Sequence, residues 1–324
     1  MKISVLGCGR WGSFIAWYLS RLGNEVVSWG PEGDPSYEIL KNTGRNEYVA
    51  LDEKITLTCD LERAVRTAEV IVISISAQGL RGFMQRIIRY PVSDKVFVLC
   101  MKGIETGTGK RLSEILTESG IASDKIAVWV GPGHIQSFVQ GVPNCMVIDS
   151  ENEKLKIDLV DRFKSDLIRF YYGNDLLGTE IGAAAKNVMG IAAGILDVIC
   201  VPLKGPLMSR GAREVARLIK AMGGNELSAY GLAHLGDYET TLFSRYSHNR
   251  MYGEMLAKGE RFEKLAEGVA TGEAMKLLGE KYGVDLPITR AVYAVCYGEG
   301  DDVVRCKEEI GKLFKRSTKA EMYE

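Results

Sequence analysis

The sequence predicts an α/β amino-terminal domain built on a doubly wound parallel sheet, followed by an all-α carboxy-terminal domain. Three observations carry that expectation. Short apolar, β-branched runs alternate with helical patterns through the first half of the 324-residue chain, which reads as a parallel sheet covered on both faces. A glycine-rich turn lies between the first such run and the first helical pattern. After residue 178 the strand-like runs give way to helical ones.

Residues 2–6 (KISVL) read as a buried strand, GCGRWG follows at 7–12, and FIAWYLSRLG has helical periodicity. Further strands are expected at 25–29, 69–76, 95–101, 125–131 and 144–150, with helices at 61–68, 77–90 and 109–119. The pattern changes after LIRFYYGNDLLG (167–178). Helices are then expected at 179–197, 206–222, 225–234, 247–258 and 271–282, and the Gly223-Gly224 pair gives a stop signal. The expected division is a dinucleotide-binding domain at 1–175 and a helical substrate domain at 176–324. There is no internal repeat, and the charged tail KRSTKAEMYE is expected to fray.

Composition narrows the function. Lys and Arg number 41 against 42 Asp and Glu, so nothing points to nucleic acid or an anionic membrane as the main partner. The seven cysteines are scattered without a CxxC pair, which suits a reducing compartment. The three histidines, His134, His234 and His248, lack metal-ligand spacing. No signal peptide and no apolar run of about 18 uncharged residues is evident. A cytoplasmic location with no membrane span is expected.

Gly7, Gly9 and Gly12 form GxGxxG directly after the first strand. The first glycine permits the tight turn, the second lets backbone approach a pyrophosphate, and the third lets helix and strand pack closely. The phosphates then lie on the positive end of the helix. Placed here, the motif marks a Rossmann-type domain. After the second strand comes Ser28-Trp29-Gly30-Pro31-Glu32, with no Lys or Arg until Lys41. Glu32 would repel a 2′-phosphate, so NAD(H) is expected over NADP(H).

The run from Thr179 to Asp197 is almost wholly small or apolar, yet Lys186 stands at its centre. A buried ammonium is costly unless paired. Hydride arriving at a ketone leaves charge on oxygen that a proton donor must neutralise, and a lysine in an apolar pocket can titrate closer to neutrality. The small residues around it (Gly182 to Ala185, Gly190) are expected to admit a cofactor or a sheet. The other reading is a lysine snorkelling from a helix surface.

Nine segments, in unbroken order, resemble the bacterial-type NAD(P)-dependent glycerol-3-phosphate dehydrogenase family. They are LGCGRWG, SAQGLR, MKGIETGTGKRLSEIL, GPGHIQSFVQGVPN, GTEIGAAAKNVMGIAAGILD, MSRGAREVARLIKAMGG, GLAHLGDYETT, SHNRMYG and LAEGVATGEA. The resemblance implies reversible reduction of dihydroxyacetone phosphate to sn-glycerol 3-phosphate, feeding glycerophospholipid synthesis. It makes Lys186 the acid/base, Asp237 its carboxylate partner, and Lys102 a second catalytic lysine that also contacts substrate and cofactor. Gly131, Asn187, Thr241, His248 and Asn249 fall on substrate positions. Arg10, Trp11, Ile135 and Glu267 join the three glycines and Glu32 on cofactor positions. A homodimer is expected.

The chain departs from the family in places. Ser247-His248-Asn249-Arg250 stands where Ser-Arg-Asn-Arg is usual, so a histidine replaces the arginine expected to grip phosphate. Arg245 and Arg250 are nearby substitutes. Gly133 replaces a serine, His134 is gained, and His234 replaces a glycine. The loop after Asp197 is short, and the basic stretch after the second strand is missing. A paralogue acting on another polyol phosphate, or on a 2-hydroxy or keto compound, is therefore the alternative. A non-catalytic nucleotide-binding regulator would not need Lys102 and Lys186. The ketopantoate reductase and 6-phosphogluconate-type dehydrogenases share the architecture, but MKGIETGTGKRLSEI and GLAHLGD fit them poorly.

Overall fold

The computed structural model describes residues 1–321. The chain forms two compact units. The first comprises Met1–Lys102 with Leu112–Leu176. The second comprises Gly103–Arg111 and the chain from Leu177 onward.

The first unit holds an eight-stranded sheet: β1 Lys2–Leu6, β2 Glu25–Trp29, β3 Thr56–Thr58, β4 Val70–Ile73, β5 Val96–Leu99, β6 Ile126–Val130, β7 Asn144–Asp149 and β8 Ile168–Tyr172. The order is β3-β2-β1-β4-β5-β6-β7-β8. Every pairing is parallel except the antiparallel β6–β7. Strand order reverses at β1, which has β2 on one side and β4 on the other. Open α/β sheets bind ligands beyond the strand C-termini at such a reversal. The helices of this unit are α1 Arg10–Arg21, α2 Pro35–Thr43, α3 Leu61–Thr67, α4 Leu80–Ile87, α5 Leu112–Glu118, α6 Ile135–Val139 and α7 Glu153–Phe163. Apolar side chains fill both faces of the sheet, with Val5, Phe14, Val72, Val98 and Trp129 in one cluster and Leu6, Ile71, Ile73, Leu80 and Leu99 in another.

The second unit contains α8 Leu176–Ile199, α9 Lys204–Ala221, α10 His248–Lys258, α11 Glu267–Tyr282, α12 Pro287–Tyr297 and α13 Asp302–Phe314. By length and composition α8 could cross a membrane, but 89% of its apolar window is buried within the protein. It is the core helix of this unit. Near its C-terminal end, close glycine contacts admit the backbone of α10. A Cβ on Gly194 would meet the Arg250 carbonyl oxygen at 1.9 Å, and one on Gly253 of α10 would meet that of Ile191 at 2.0 Å.

Several expectations from the sequence are corrected. The segment 225–234 is no α-helix. It forms a 3₁₀ turn at Glu226–Tyr230 and then irregular chain, because Asn225 caps Leu227 and two glycines follow within reach of the turn. Strands β3 and β8 and helices α2, α6, α7, α12 and α13 were not foreseen. The described part of the tail is exposed and irregular, with Arg316 paired to Asp285 and Arg210 donating to the Glu321 carbonyl at 2.6 Å. The remaining tail residues lie outside the described residues.

Candidate active site

In the first unit the chain leaves β1 through Gly7, whose φ of +112° suits glycine. A Cβ there would stand 2.2 Å from the Ser74 carbonyl oxygen, and one on Gly12 would stand 1.8 Å from that of Gly7. Both positions are closed by backbone. Gly9 differs: a Cβ there meets nothing within 4 Å. Gly9 is also the N-cap of α1 and offers no side chain to its amides. An open space before uncapped helical N–H groups is what a pyrophosphate requires.

The side chains of the loop turn elsewhere. Arg10 lies over the Tyr48 ring at 5.3 Å, and Trp11 packs beside Phe14 at 5.1 Å. Cys8 is buried, and burial pushes its thiol up to about 12, so it stays protonated. Glu32 is exposed just past β2, while Asp34 is committed to capping α2 through Ser36 and Tyr37.

At the C-terminal end of β5, Lys102 Nζ donates to the Gly131 carbonyl at 2.8 Å. This brings together two residues expected at the substrate. Ile135 is 1% exposed and belongs to the core with Phe138. Gly133 has φ +156°, and a Cβ there would lie 2.3 Å from the Phe138 ring. The serine of the family pattern has no room here, because Phe138 stacks on Phe14 in that space.

The second unit gathers the others around α8. Lys186 is 7% exposed. Its Nζ lies 2.5 Å from Asp237 Oδ2 and donates to Thr241 Oγ1 at 2.9 Å. Asp237 is 1% exposed and also accepts from Thr240 Oγ1. Desolvation opposes the ammonium, whereas the carboxylate favours it, so each charge depends on the other. This excludes the snorkelling reading. Gly190, one turn beyond Lys186, leaves room for Thr241 and Asn249, whose atoms would stand 3.0 and 3.1 Å from a Cβ there. Asn249 Oδ1 accepts from Gly268 N at 2.8 Å. A Cβ on Gly268 would be 2.5 Å from the Asn187 carbonyl oxygen, and Glu267 precedes it at the start of α11.

His248, at the start of α10, sets its ring edge-on to Phe262 at 6.1 Å. Arg250 is committed elsewhere, with Nε 2.6 Å from Asp197 Oδ2. Arg245 is exposed and donates to the Tyr246 hydroxyl at 2.9 Å.

Three features escaped the sequence reading. Lys204, 7% exposed, pairs with Asp197 and donates to the Leu242 carbonyl at 3.1 Å, tying the end of α8 to the segment bearing Thr241. Arg111 pairs with Glu180 at 2.7 Å and fastens the Gly103–Arg111 segment to α8. His234 bonds Gly182 and Tyr238. Lys204 left a local signal, a cation seven residues after Asp197 at a helix start, and His234 stood out only as a departure from the family pattern.

A dinucleotide-binding sheet and a helical unit with a buried lysine–carboxylate pair are the parts of an NAD(P)-dependent oxidoreductase acting on a CH–OH group. The profile described as NAD-dependent glycerol-3-phosphate dehydrogenase N-terminus matches residues 2–156, and its C-terminus counterpart matches residues 175–303. The chain belongs to the NAD-dependent glycerol-3-phosphate dehydrogenase family. A glycerol-3-phosphate dehydrogenase (NAD(P)+) of Thermoanaerobacter sp. (strain X514) is 33% identical, with 100% of this chain and 99% of that protein covered. One of Prosthecochloris aestuarii is 34% identical, covering 92% and 94%. The crystal structure of glycerol-3-phosphate dehydrogenase from Coxiella burnetii superposes with a TM-score of 0.87 at 26% identity, covering 97% and 99%.

Proposed function

We propose that the chain interconverts dihydroxyacetone phosphate and sn-glycerol 3-phosphate, with Lys186 as the acid/base. The observation that carries this reading is the buried Lys186 ammonium held between Asp237 and Thr241. The open space at Gly9 and the uncapped start of α1 fit a dinucleotide, with Gly7, Gly9 and Gly12 shaping the pyrophosphate cradle. When bound, the nicotinamide supplies the hydride.

In the reducing direction the ketone carbon receives that hydride, and the C=O π pair becomes a lone pair on oxygen. Lys186 gives that oxygen a proton and is left as an amine, which regains a proton from solvent. Asp237 directs the ammonium and stabilises its charge beforehand; Thr241 fixes its orientation. In the oxidising direction the neutral amine takes the hydroxyl proton. Lys102, anchored on the Gly131 carbonyl, adds positive charge for the developing oxyanion. Asn187, Asn249 and Thr241 offer neutral hydrogen bonds to the substrate, with His248 beside them in sequence.

Glu32 supports a preference for NAD(H). It is exposed past β2, where a 2′-phosphate would need a cation. The reading extends to a cytoplasmic homodimer supplying a glycerophospholipid precursor, as the family resemblance suggests; sedimentation tests the assembly. The reaction itself is tested by following oxidation of NADH and NADPH with dihydroxyacetone phosphate as sole acceptor. Fast turnover with NADH and slow turnover with NADPH is expected. Equal use of NADPH would overturn the preference, and no turnover with either in nucleotide-binding protein would overturn the substrate.

A further inference from the structure

Asp237 and Thr241, the two side chains that hold Lys186, sit on a segment with little regular structure. It contains only the short turns Leu235–Asp237 and Glu239–Phe243. Its own backbone bonds cannot fix its distance from α8. His234 can. The ring is 0% exposed, with Nδ1 2.8 Å from the Gly182 carbonyl oxygen and Nε2 2.8 Å from the Tyr238 hydroxyl. A carbonyl oxygen only accepts, so Nδ1 carries the hydrogen and the Tyr238 hydroxyl donates to a bare Nε2.

Gly182 lies one helical turn before Lys186, on the same face of α8. A Cβ on Gly182 would stand 3.0 Å from His234 Cβ, so the contact is as close as glycine allows. Tyr238 is fully buried, and its hydroxyl would lie 3.1 Å from a Cβ on Gly211 of α9. The two bonds therefore bracket Asp237 in sequence and seat its turn against α8 and α9.

We propose that His234 is a positioning residue that clamps the Asp237 turn to α8 and so sets the carboxylate–ammonium geometry needed for proton delivery. This rests on the reading of Lys186 as proton donor. The charged and titratable groups around the ring are Lys186 from α8, Asp237 and Tyr238 on its own segment, and Glu214 from α9 on the far side of Tyr238. A second proton on the imidazole would face the Lys186 ammonium and reverse the Tyr238 bond, so the clamp works as a neutral ring.

The test separates the two bonds. His234→Asn keeps an N–H near the position of Nδ1 and loses Tyr238. His234→Gln reaches Tyr238 and loses Gly182. His234→Ala loses both. For each, kcat and KM with NADH and dihydroxyacetone phosphate are measured across the neutral to alkaline range, together with NADH affinity and thermal midpoint. His234→Gln and His234→Ala are expected to lose about ten-fold or more in kcat, with a displaced kcat–pH profile and unchanged NADH affinity. His234→Asn is expected to recover most of the turnover. Lower midpoints with wild-type kcat and pH profile in the folded variants would mean a merely structural histidine and overturn the clamp. If His234→Ala fails to fold, the Asn and Gln pair decides. Lys186→Ala in the same series separates the claims. Wild-type turnover there removes the proton donor and the clamp with it. An inactive Lys186→Ala beside unaltered His234 variants removes the clamp alone.

Discussion

The two units bury polarity in opposite ways. The first builds its candidate site from backbone: glycine turns, an uncapped helix start, and lysines that end on carbonyls, such as Lys95 on Ala68 and Lys102 on Gly131. The second pairs side chains with each other, as in Lys186 with Asp237, Lys204 with Asp197, and Arg111 with Glu180. A backbone cradle holds a ligand whose charge is constant. A buried side-chain pair is suited to a proton that must move. The first unit should therefore respond to substitutions through volume, and the second through charge.

The largest expected effect tests the charge half. Lys186→Ala should lower turnover by ~100-fold or more, the range for removing an acid/base group, with NADH affinity intact. Near-normal turnover would break the contrast, since the second unit would then do no proton chemistry.

Two glycine variants test the volume half. Gly12→Ala should cost roughly 1–3 kcal/mol of stability by overpacking, because its Cβ meets a carbonyl oxygen. Gly9→Ala should leave the thermal midpoint in place and weaken NADH binding. Equal midpoints for the two variants would show that the loop is less closed than the distances imply.

Acid sensitivity sharpens the charge half. Burial lowers the ionisation of His234 from 6.5 to about 4. The native state then holds fewer protons than the unfolded chain between those values. Its contribution to stability is complete above about pH 6.5 and is lost as pH falls towards 4, by on the order of 3 kcal/mol. Denaturant midpoints of wild type and His234→Asn, compared over that window, should show a shallower pH slope in the variant. Parallel slopes would refute the assignment.

The smallest effect concerns the phosphate. His248→Arg should lower KM for dihydroxyacetone phosphate by up to about ten-fold, as one charge-assisted bond can supply. An unchanged KM would place the phosphate grip on another residue, with Arg245 the next to substitute.

The same contrast explains what the sequence made legible. Gly7, Gly9 and Gly12 act within one turn, so their spacing directly after the first strand was enough to raise the expectation of a pyrophosphate site. Lys186 was visible as a charge inside an apolar run, and its partners emerged through resemblance to a family. His234 and Gly182 lie 52 residues apart, and Arg111 and Glu180 lie 69 apart. No periodicity marks such pairs. The three residues of β3 are too few to show an alternation. In β8 the pattern IRFYY buries only Ile168 and Phe170, leaving two tyrosines that do not read as edge-strand polar positions. The misread 225–234 segment is apolar enough for a helix, yet it runs as a short 3₁₀ turn and irregular chain that ends at the buried His234.

One consequence concerns synthesis. Residues Gly103–Arg111 are made with the first unit but belong to the second, where Ile104 is 0% exposed in a core that also contains Leu278 and Val292. The polypeptide thus passes between the units three times, so no single cut yields both of them whole. On the ribosome the sheet-bearing unit can close early, while this short loop waits with Ile104 in water until α8 and the helices after it have emerged. A fragment ending at residue 176 would carry that exposed loop permanently, and its solubility would report how strongly the first half of the gene relies on the second.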